Sequence, residues 1–358
     1  MLNWIVHRLH RFRTWLWVRL GLWRGTWRRG RVDLRGTQWL AGPFAVHSWR
    51  YGLYCPAGLA DTEPAPLLVL LHGCKQRALG FAVASGWTRY ADLQRVRLLC
   101  PEQRRFANLY RCWNWFTPRA QRGDGEQRVI VEMLDAAAAQ VAVRPQAVAL
   151  VGLSAGGGLA ALLAFHHAAR FSAVVAVAAP PLLGAVNVQD PRDVMKRGLM
   201  LGPLFGLGTQ MKACAPLAVI HGADDDVVHP ACAEQLVAQA LEAHRRDDML
   251  LTAGDASTDP GIAVVDHRKG GALRVRAVYV QRLAHEWAGG PGGHPYCEGD
   301  AMSLTALCGQ FFTAVGAFDA AEAMGKAAAP TASPRPAAEG PGEQLETATA
   351  QSPLPPPL

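Results

Sequence analysis

Short apolar runs alternate with longer amphipathic stretches across residues 65–320. Runs that are apolar for almost their whole length are typical of strands buried on both faces of a parallel sheet. Four such runs are PLLVLLHG (66–73), AVALVG (147–152), AVVAVAAP (173–180) and PLAVIHG (216–222). Between the first two lies QRVIVEMLDAAAAQVA, which has helical spacing. The alternation predicts an α/β fold with a mostly parallel, doubly wound sheet and helices on both faces.

Composition divides the chain into three regions. Residues 1–32 form a basic, Trp-rich amphipathic segment, and residues 33–322 are expected to form one folded α/β domain. Near the start of that domain, FAVHSWRYGLYCPAG alternates apolar and polar residues, which predicts short strands. Residues 323–358 are rich in Ala and Pro and have almost no large apolar residue. We therefore expect this last region to be a disordered tail.

The first 32 residues combine an apolar stripe at helical spacing with a concentration of arginine. They hold eight arginines and no acidic residue, so the net charge of +7 is largely local. The pattern predicts an amphipathic helix that attaches to a membrane or granule surface. The alternatives are a helix packed on the body and a start assigned too far upstream. The stripe consists of Ile5, Leu9, Phe12, Leu16, Leu20, Trp23 and Trp27.

The same segment bears on partners and compartment. Its arginines interrupt the apolar residues too often for a transmembrane span. We see no clear signal peptide, because no uninterrupted apolar stretch and no clear cleavage site follow the basic start. The expectation is a cytoplasmic or granule- or membrane-associated protein, with an extracellular location left open. A nucleic-acid partner is not expected, because the excess arginines are confined to this Trp-rich segment.

A lone serine lies between glycines where a predicted strand becomes a predicted helix. Residues Gly152 to Gly156 read Gly-Leu-Ser-Ala-Gly and fit G-x-S-x-G, the nucleophile-elbow pattern. The glycines remove side chains that would collide at the sharp turn presenting Ser154. The backbone N–H of Ala155, at a helix N-terminus, would face a developing oxyanion. The alternative is a glycine-rich turn that carries a serine by chance.

A nucleophilic serine needs a base, and the base needs an orienting acid. In this class of hydrolase the chain order is serine, acid, histidine. The loop after the strand at 216–222 contains three consecutive aspartates, of which we assign Asp225 as the acid. Asp224 and Asp226 flank it and are the alternatives within the same loop. The alternative is a solvated acidic turn.

We assign His285 as the base, because it lies in a loop that follows the strand-like run VRAVYV. His229 is too close to the acid loop, His244 falls in a charged helix-like segment, and His267 falls in a predicted turn. The second oxyanion N–H is assigned to Cys74, after the strand at 66–73. The histidine before it, at position 72, is predicted to hold this loop by hydrogen bonds. No metal and no organic cofactor is expected.

Several short motifs now appear in one order: LHGCKQ, CPEQ, CWNWF, RGDGEQRVI, VGLSAGGGLA, HGADDDVVHP and HEWAGG. Over residues 40–315 the chain resembles the polyhydroxybutyrate depolymerase-type esterases, a branch of the α/β-hydrolases that includes feruloyl and acetylxylan esterases. The resemblance implies Ser154 as nucleophile, Asp225 as acid and His285 as base. The chain departs from the family pattern at Lys75, Gly158, Ala284 and Glu286, and none of these changes removes a catalytic group.

The CWNW motif carries further expectations from the resemblance. Its loop lies near the oxyanion loop in the family, which implies a disulfide between Cys74 and Cys112. Trp113, Trp115 and Trp287 are assigned to an apolar substrate groove, with core packing as the alternative. Asn114 either holds the loop or binds substrate.

The leading functional prediction is a serine esterase that hydrolyses short-chain hydroxyalkanoate esters, as polymer or oligomer, through an acyl-enzyme. The first alternative is a carbohydrate-linked ester hydrolase, such as a feruloyl or acetylxylan esterase. The second is a non-catalytic protein attached to a granule surface, for which the fold is a scaffold. An intact serine, histidine and aspartate set argues against the second.

Overall fold

The structure is a computed structural model, and it describes residues 24–35, 46–184, 189–204, 207, 213–245, 251–255, 259–299 and 302–318. Within these residues, ten strands form one sheet in the order β1-β2-β4-β3-β5-β6-β7-β10-β9-β8. The strands are β1 (Thr26–Arg35), β2 (Val46–Cys55), β3 (Ala65–Leu71), β4 (Arg97–Glu102), β5 (Val143–Leu153), β6 (Ala173–Val177), β7 (Leu217–Gly222), β8 (Leu251–Asp255), β9 (Ile262–Lys269) and β10 (Ala272–Val280). A separate short pair joins β11 (Trp287–Ala288) to β12 (Cys297–Glu298).

The middle of the sheet is parallel and its two ends are antiparallel. Strands β4, β3, β5, β6, β7 and β10 pair in parallel from neighbour to neighbour. Strands β1 and β2 at one end, and β9 and β8 at the other, pair antiparallel. The carboxyl ends of the central parallel strands therefore share one edge, which is where such sheets place their functional loops.

Helices cover both faces of the sheet, because the buried strands are apolar on both sides. Within β3, Leu67 and Val69 belong to one apolar core while Leu68 and Leu70 belong to the other. Helices α3 (Glu126–Ala138), α4 (Ala155–His166), α5 (Pro191–Arg197) and α6 (Ala231–Arg245) contribute to the first core. Helices α1 (Ala78–Ala84), α2 (Trp87–Gln94) and α7 (Leu304–Ala314) contribute to the second. The predicted doubly wound α/β architecture is confirmed.

The amino-terminal prediction is wrong over the part that the structure describes. Residues Thr26–Arg35 form β1 and pair antiparallel with β2 along its whole length. Trp27, which the helical stripe included, packs instead on the ring of Tyr54, 5.0 Å away. A strand forms here because β2 offers a complete ladder of backbone partners, so the sheet begins before the predicted boundary at residue 33. Residues 1–23 and the predicted tail, 323–358, lie outside the described residues.

Two further comparisons concern single elements. His267 lies within strand β9 rather than in the predicted turn. Strand β9 pairs antiparallel with β10 on one side and β8 on the other, an arrangement that the sequence pattern did not predict. No helix among the described residues combines the length and apolar character that a membrane crossing requires.

Candidate active site

Ser154 occupies the turn between the last residue of β5 and the first residue of α4. Its backbone has φ 58° and ψ −119°, a conformation that non-glycine residues rarely adopt. The flanking glycines are required by close backbone approaches. A Cβ on Gly152 would lie 2.1 Å from the Gly156 carbonyl oxygen, and one on Gly156 would lie 2.3 Å from that of Leu71. The sharp, strained turn presents the hydroxyl at the carboxyl edge of the sheet.

His285 lies in the loop that follows β10, and its two ring nitrogens face the other two predicted residues. Nε2 lies 3.0 Å from Ser154 Oγ, and Nδ1 lies 2.8 Å from Asp225 Oδ2. The ring is 8% exposed and packs edge-on against Tyr296, with centroids 5.8 Å apart. The carboxylate can only accept, so a neutral ring donates from Nδ1 and leaves Nε2 to accept the serine proton.

Asp225 lies just after β7 and is held on both carboxylate oxygens. Oδ1 accepts hydrogen bonds from the backbone amides of Val227 and Val228, at 3.0 and 2.8 Å. Oδ2 accepts a hydrogen bond from His285 Nδ1 and lies 3.4 Å from His221 Nε2. Burial alone would raise the pKa of this carboxyl, but hydrogen bonds from both histidines outweigh it and hold the pKa well below its usual range. The flanking aspartates, 224 and 226, are exposed, so the geometry singles out the buried one.

His221 was not identified from the sequence. Its Nε2 donates to the Val228 carbonyl at 2.7 Å and also approaches Asp225. The side chain is fully buried at the end of β7, so it fixes the start of the loop that carries the carboxylate. A histidine at the end of a buried strand is a usable sequence signal, since such a polar group needs a partner.

The loop after β3 approaches the turn that carries Ser154. A Cβ on Gly73 would lie 3.5 Å from Ser154 Cβ, so the two segments are in contact distance. The Gly73 amide donates to Gln76 Oε1 at 2.7 Å and the Lys75 amide donates to the Tyr110 carbonyl at 2.7 Å. Between them, the Cys74 amide has no hydrogen bond within the described residues, and neither does the Ala155 amide. These two N–H groups are therefore free to donate hydrogen bonds to a ligand oxygen.

His72 holds this loop, as the sequence predicts. Its Nδ1 donates to the Gly73 carbonyl at 2.8 Å, and its Nε2 accepts from the Gln103 amide at 3.2 Å. Complete burial lowers its pKa to about 4, so the ring is neutral at pH 7. A neutral ring with one donor and one acceptor satisfies both neighbours, which is a positioning role and leaves no free nitrogen for a second base.

The disulfide implied by the family resemblance is present between Cys74 and Cys112. It ties the oxyanion loop to the loop after β4 across a separation of 38 residues. The other six cysteines are buried and unpaired. The disulfide therefore fixes the backbone on which the Cys74 amide lies.

We expect the Cys74→Ser/Cys112→Ser variant to lose about 2–4 kcal/mol of unfolding free energy, since closing a loop of this length restricts the unfolded chain. Denaturant unfolding measures the loss. Dithiothreitol should destabilise the wild type by a similar amount and leave the double variant unchanged. Destabilisation of both proteins by the reductant would contradict this assignment, because the remaining thiols are already free.

The substrate-groove assignment of the tryptophans is wrong. Trp113 and Trp287 are fully buried, and Trp115 is 3% exposed. The indole N–H of Trp113 donates to the His72 carbonyl, and that of Trp287 donates to the Thr305 hydroxyl. They fill the two cores because aromatic side chains of this size bury more apolar area there than at a rim.

Asn114 is also buried, and it holds the loop rather than facing a substrate. Its backbone N–H and its Nδ2 donate to the two carboxylate oxygens of Glu126, each at 2.7 Å. Gln103 Nε2 donates to the same carboxylate at 2.8 Å. Glu126, the first residue of α3, was missed in the sequence. A glutamate directly after Gly-Asp-Gly at a helix start is the signal that could have identified it.

Glu126 makes stability depend on pH in a defined window. Burial raises its pKa from 4.5 to about 6, against the hydrogen bonds from Gln103 and Asn114. Folding thus favours the protonated form of Glu126. The resulting gain in unfolding free energy is complete below pH 4.5 and disappears as the pH rises through 6. Relative to Glu126→Gln, the wild type should lose about 2 kcal/mol of unfolding free energy across that window. Urea unfolding of both proteins from pH 4 to 8 tests this, and a pH-independent difference would contradict it.

The fold and the serine-centred site define an α/β-hydrolase. The chain belongs to the esterase PHB depolymerase family, whose model matches residues 49–256, more than half of its length. Clusters of His, Cys, Asp and Glu able to hold a metal ion are absent from the described residues.

Two curated relatives are similar to this chain over different shares of their own lengths. The chain is 29% identical over 202 residues to poly(3-hydroxyalkanoate) depolymerase C of Paucimonas lemoignei, covering 54% of this chain and 48% of that protein. It is 27% identical to feruloyl esterase B of Neurospora crassa, covering 57% of this chain and 72% of that one. The chain thus spans about half the length of the depolymerase it matches.

A solved structure supports the fold. The acetyl xylan esterase of Aspergillus awamori superposes with a TM-score of 0.57 at 13% identity, covering 72% of this chain and 94% of that one. At this identity the likeness concerns architecture alone.

Proposed function

We propose that this protein is a serine esterase acting through Ser154, His285 and Asp225. The observation that carries the proposal is the continuous chain of contacts from serine Oγ through both histidine nitrogens to the buried carboxylate. Nε2 takes the serine proton as Oγ attacks the ester carbonyl. Asp225 holds the Nδ1–H and stabilises the imidazolium that forms.

The developing oxyanion accepts hydrogen bonds from the Cys74 and Ala155 amides, which have no acceptor within the described residues. The imidazolium then gives its proton to the departing alcohol, which leaves an acyl ester on Ser154. Water attacks this acyl-enzyme with His285 again as base, and the carboxylic acid departs as the serine proton returns. Each half-reaction reuses one base, so the chemistry requires no other reacting group.

The proposed substrates are short-chain hydroxyalkanoate esters, as polyester or oligomer. Family membership and the depolymerase relative support this class. Carbohydrate-linked esters are the second candidate, supported by the similarity to feruloyl esterase B. Attachment to a membrane or granule surface was predicted for residues 1–32, and for residues 1–23 it stays a prediction. The cellular compartment of the protein also stays a prediction.

A substrate panel tests the proposal and separates its alternatives. The full-length protein is assayed on p-nitrophenyl esters of increasing acyl length, a polyhydroxybutyrate suspension and a feruloyl ester, beside Ser154→Ala. Polyester or oligoester turnover that disappears in the variant supports the proposal. Turnover of the feruloyl ester alone moves the substrate to carbohydrate-linked esters. Absence of all turnover contradicts an esterase and favours the scaffold alternative.

A further inference from the structure

A surface pocket of about 510 Å³ adjoins the oxyanion loop. One wall is formed by Lys75 and Arg77, which follow Cys74. The other is formed by residues 105, 106 and 108–111 of the loop that follows β4. A pocket of this size holds a single short chain rather than a macromolecular surface. None of its lining residues belongs to the serine, histidine and aspartate set.

The pocket is strongly cationic. Four of its lining side chains carry positive charge, and none carries negative charge. Arg111 is compensated, because it pairs with Glu102 at 3.1 Å. Lys75, Arg77 and Arg105 are exposed, and none of them lies within ion-pair distance of a carboxylate of the described residues. Arg77 is partly compensated by the charge of Glu102, which leaves Lys75 and Arg105 as the cations that an anionic ligand would meet without a carboxylate partner.

Apolar side chains lie between these cations. Phe106 is 82% exposed, Leu109 87% and Tyr110 53%. Lys75 Nζ lies 5.1 Å from the centre of the Tyr110 ring, and the Arg105 guanidinium lies 5.5 Å from that of Phe106. Cations and apolar surface alternate at the scale of one short aliphatic chain, which fits an alkyl group that ends in an anion.

The pocket is held at a fixed position relative to the serine. The Lys75 amide donates to the Tyr110 carbonyl, and the disulfide joins Cys74 to Cys112, so both walls are tied together next to the oxyanion amide. A Cβ added at Gly73 would lie 3.5 Å from Ser154 Cβ, and Lys75 follows two residues later. Consecutive Cα atoms are 3.8 Å apart, which places the Lys75 Cα within about 8 Å of that of Gly73.

We infer that this pocket binds the terminal carboxylate of an oligoester whose scissile bond lies at Ser154. The inference rests on the proposed esterase function and makes it more specific: the preferred substrate is a short hydroxyalkanoate oligomer with a free acid end. The carboxylate contacts Lys75 and Arg105, while the alkyl units lie on Phe106 and Tyr110. A neutral polymer would use the apolar surface alone and would leave the cations without a function.

The test compares the linear 3-hydroxybutyrate trimer with its methyl ester, which differs only in the terminal charge. The full-length wild type should show a higher kcat/KM for the free acid, and the preference should weaken as salt rises from 0.05 to 0.5 M. Lys75→Gln/Arg105→Gln should lower the acid-to-ester ratio about threefold to tenfold, as expected for two exposed ion pairs. Arg29→Gln/Arg31→Gln removes the same charge from the outer strand β1 and should leave the ratio unchanged.

A binding measurement keeps the inference independent of turnover. Calorimetry on the Ser154→Ala protein should show tighter binding of the free acid than of the methyl ester. Equal binding of the two, or a ratio that Lys75→Gln/Arg105→Gln does not alter, would overturn the inference. Turnover of p-nitrophenyl esters with no discrimination between the trimers would overturn it while the esterase proposal stands. Absence of turnover by the wild type, with charge-selective binding retained, would contradict the esterase proposal and leave only the carboxylate-binding part of the inference.

Discussion

Ser154→Ala is expected to lower kcat on any ester substrate by about 10⁴-fold or more, with folding intact. The substitution removes only the oxygen that lies 3.0 Å from His285 Nε2. The backbone at this position already has φ 58°, and alanine meets the same conformational cost as serine. Initial rates with a p-nitrophenyl ester, together with the thermal unfolding midpoint, measure both halves of this prediction.

Ser172→Ala is the matched control. Ser172 allows the same substitution at the amino-terminal edge of the parallel strands, just before β6, where its hydroxyl donates to the Val148 carbonyl at 3.0 Å. Its loss should reduce stability by about 1 kcal/mol and leave kcat within about twofold. Residual activity of Ser154→Ala at a tenth of the wild-type rate would refute the nucleophile assignment.

Asp225→Asn is expected to lower kcat by about 10³- to 10⁴-fold. The amide can still accept the hydrogen bonds from Val227 and Val228, so the loop keeps its shape. What is lost is the negative charge facing His285 Nδ1 and the acceptor that fixes the histidine tautomer. The rate falls because the imidazolium formed during attack is no longer stabilised.

The neighbouring aspartates provide controls within the same loop. Asp224→Asn and Asp226→Asn change the net charge by the same amount, but both side chains are exposed. Each should keep kcat within about twofold of the wild type. A comparable loss in either of them would show that loop charge, rather than the buried carboxylate, determines the rate.

The central parallel strands and the serine turn could be predicted from the sequence because local patterns specify them. A strand buried on both faces must be apolar throughout, as β3 is, and a turn with φ 58° at Ser154 requires glycines on both sides. The loop of the acid was predictable for the same reason. The choice of Asp225 over its neighbours was not, because it depends on burial and on contacts with His221 and His285.

Predictions that depended on long-range packing were the ones that failed. Trp27 fits a helical stripe by spacing, yet β2 offers a strand partner that spacing cannot reveal. Trp113 lies in the CWNWF motif and Trp287 lies two residues after His285, but both side chains are buried in the core. Glu126 was missed because its significance comes from Gln103 and Asn114, which reach it from a different loop. Local patterns predict elements, whereas burial and contacts between loops require the folded chain.

Active-site labelling tests the central claim most directly. A fluorophosphonate transfers its phosphonyl group, with departure of fluoride, to a serine whose hydroxyl is activated by a neighbouring base. We predict one adduct per full-length chain, mapped by peptide mass spectrometry to Ser154, lost in Ser154→Ala and greatly slowed in Asp225→Asn. An adduct at another residue, or none on a protein that hydrolyses esters, would contradict the assignment of Ser154, His285 and Asp225.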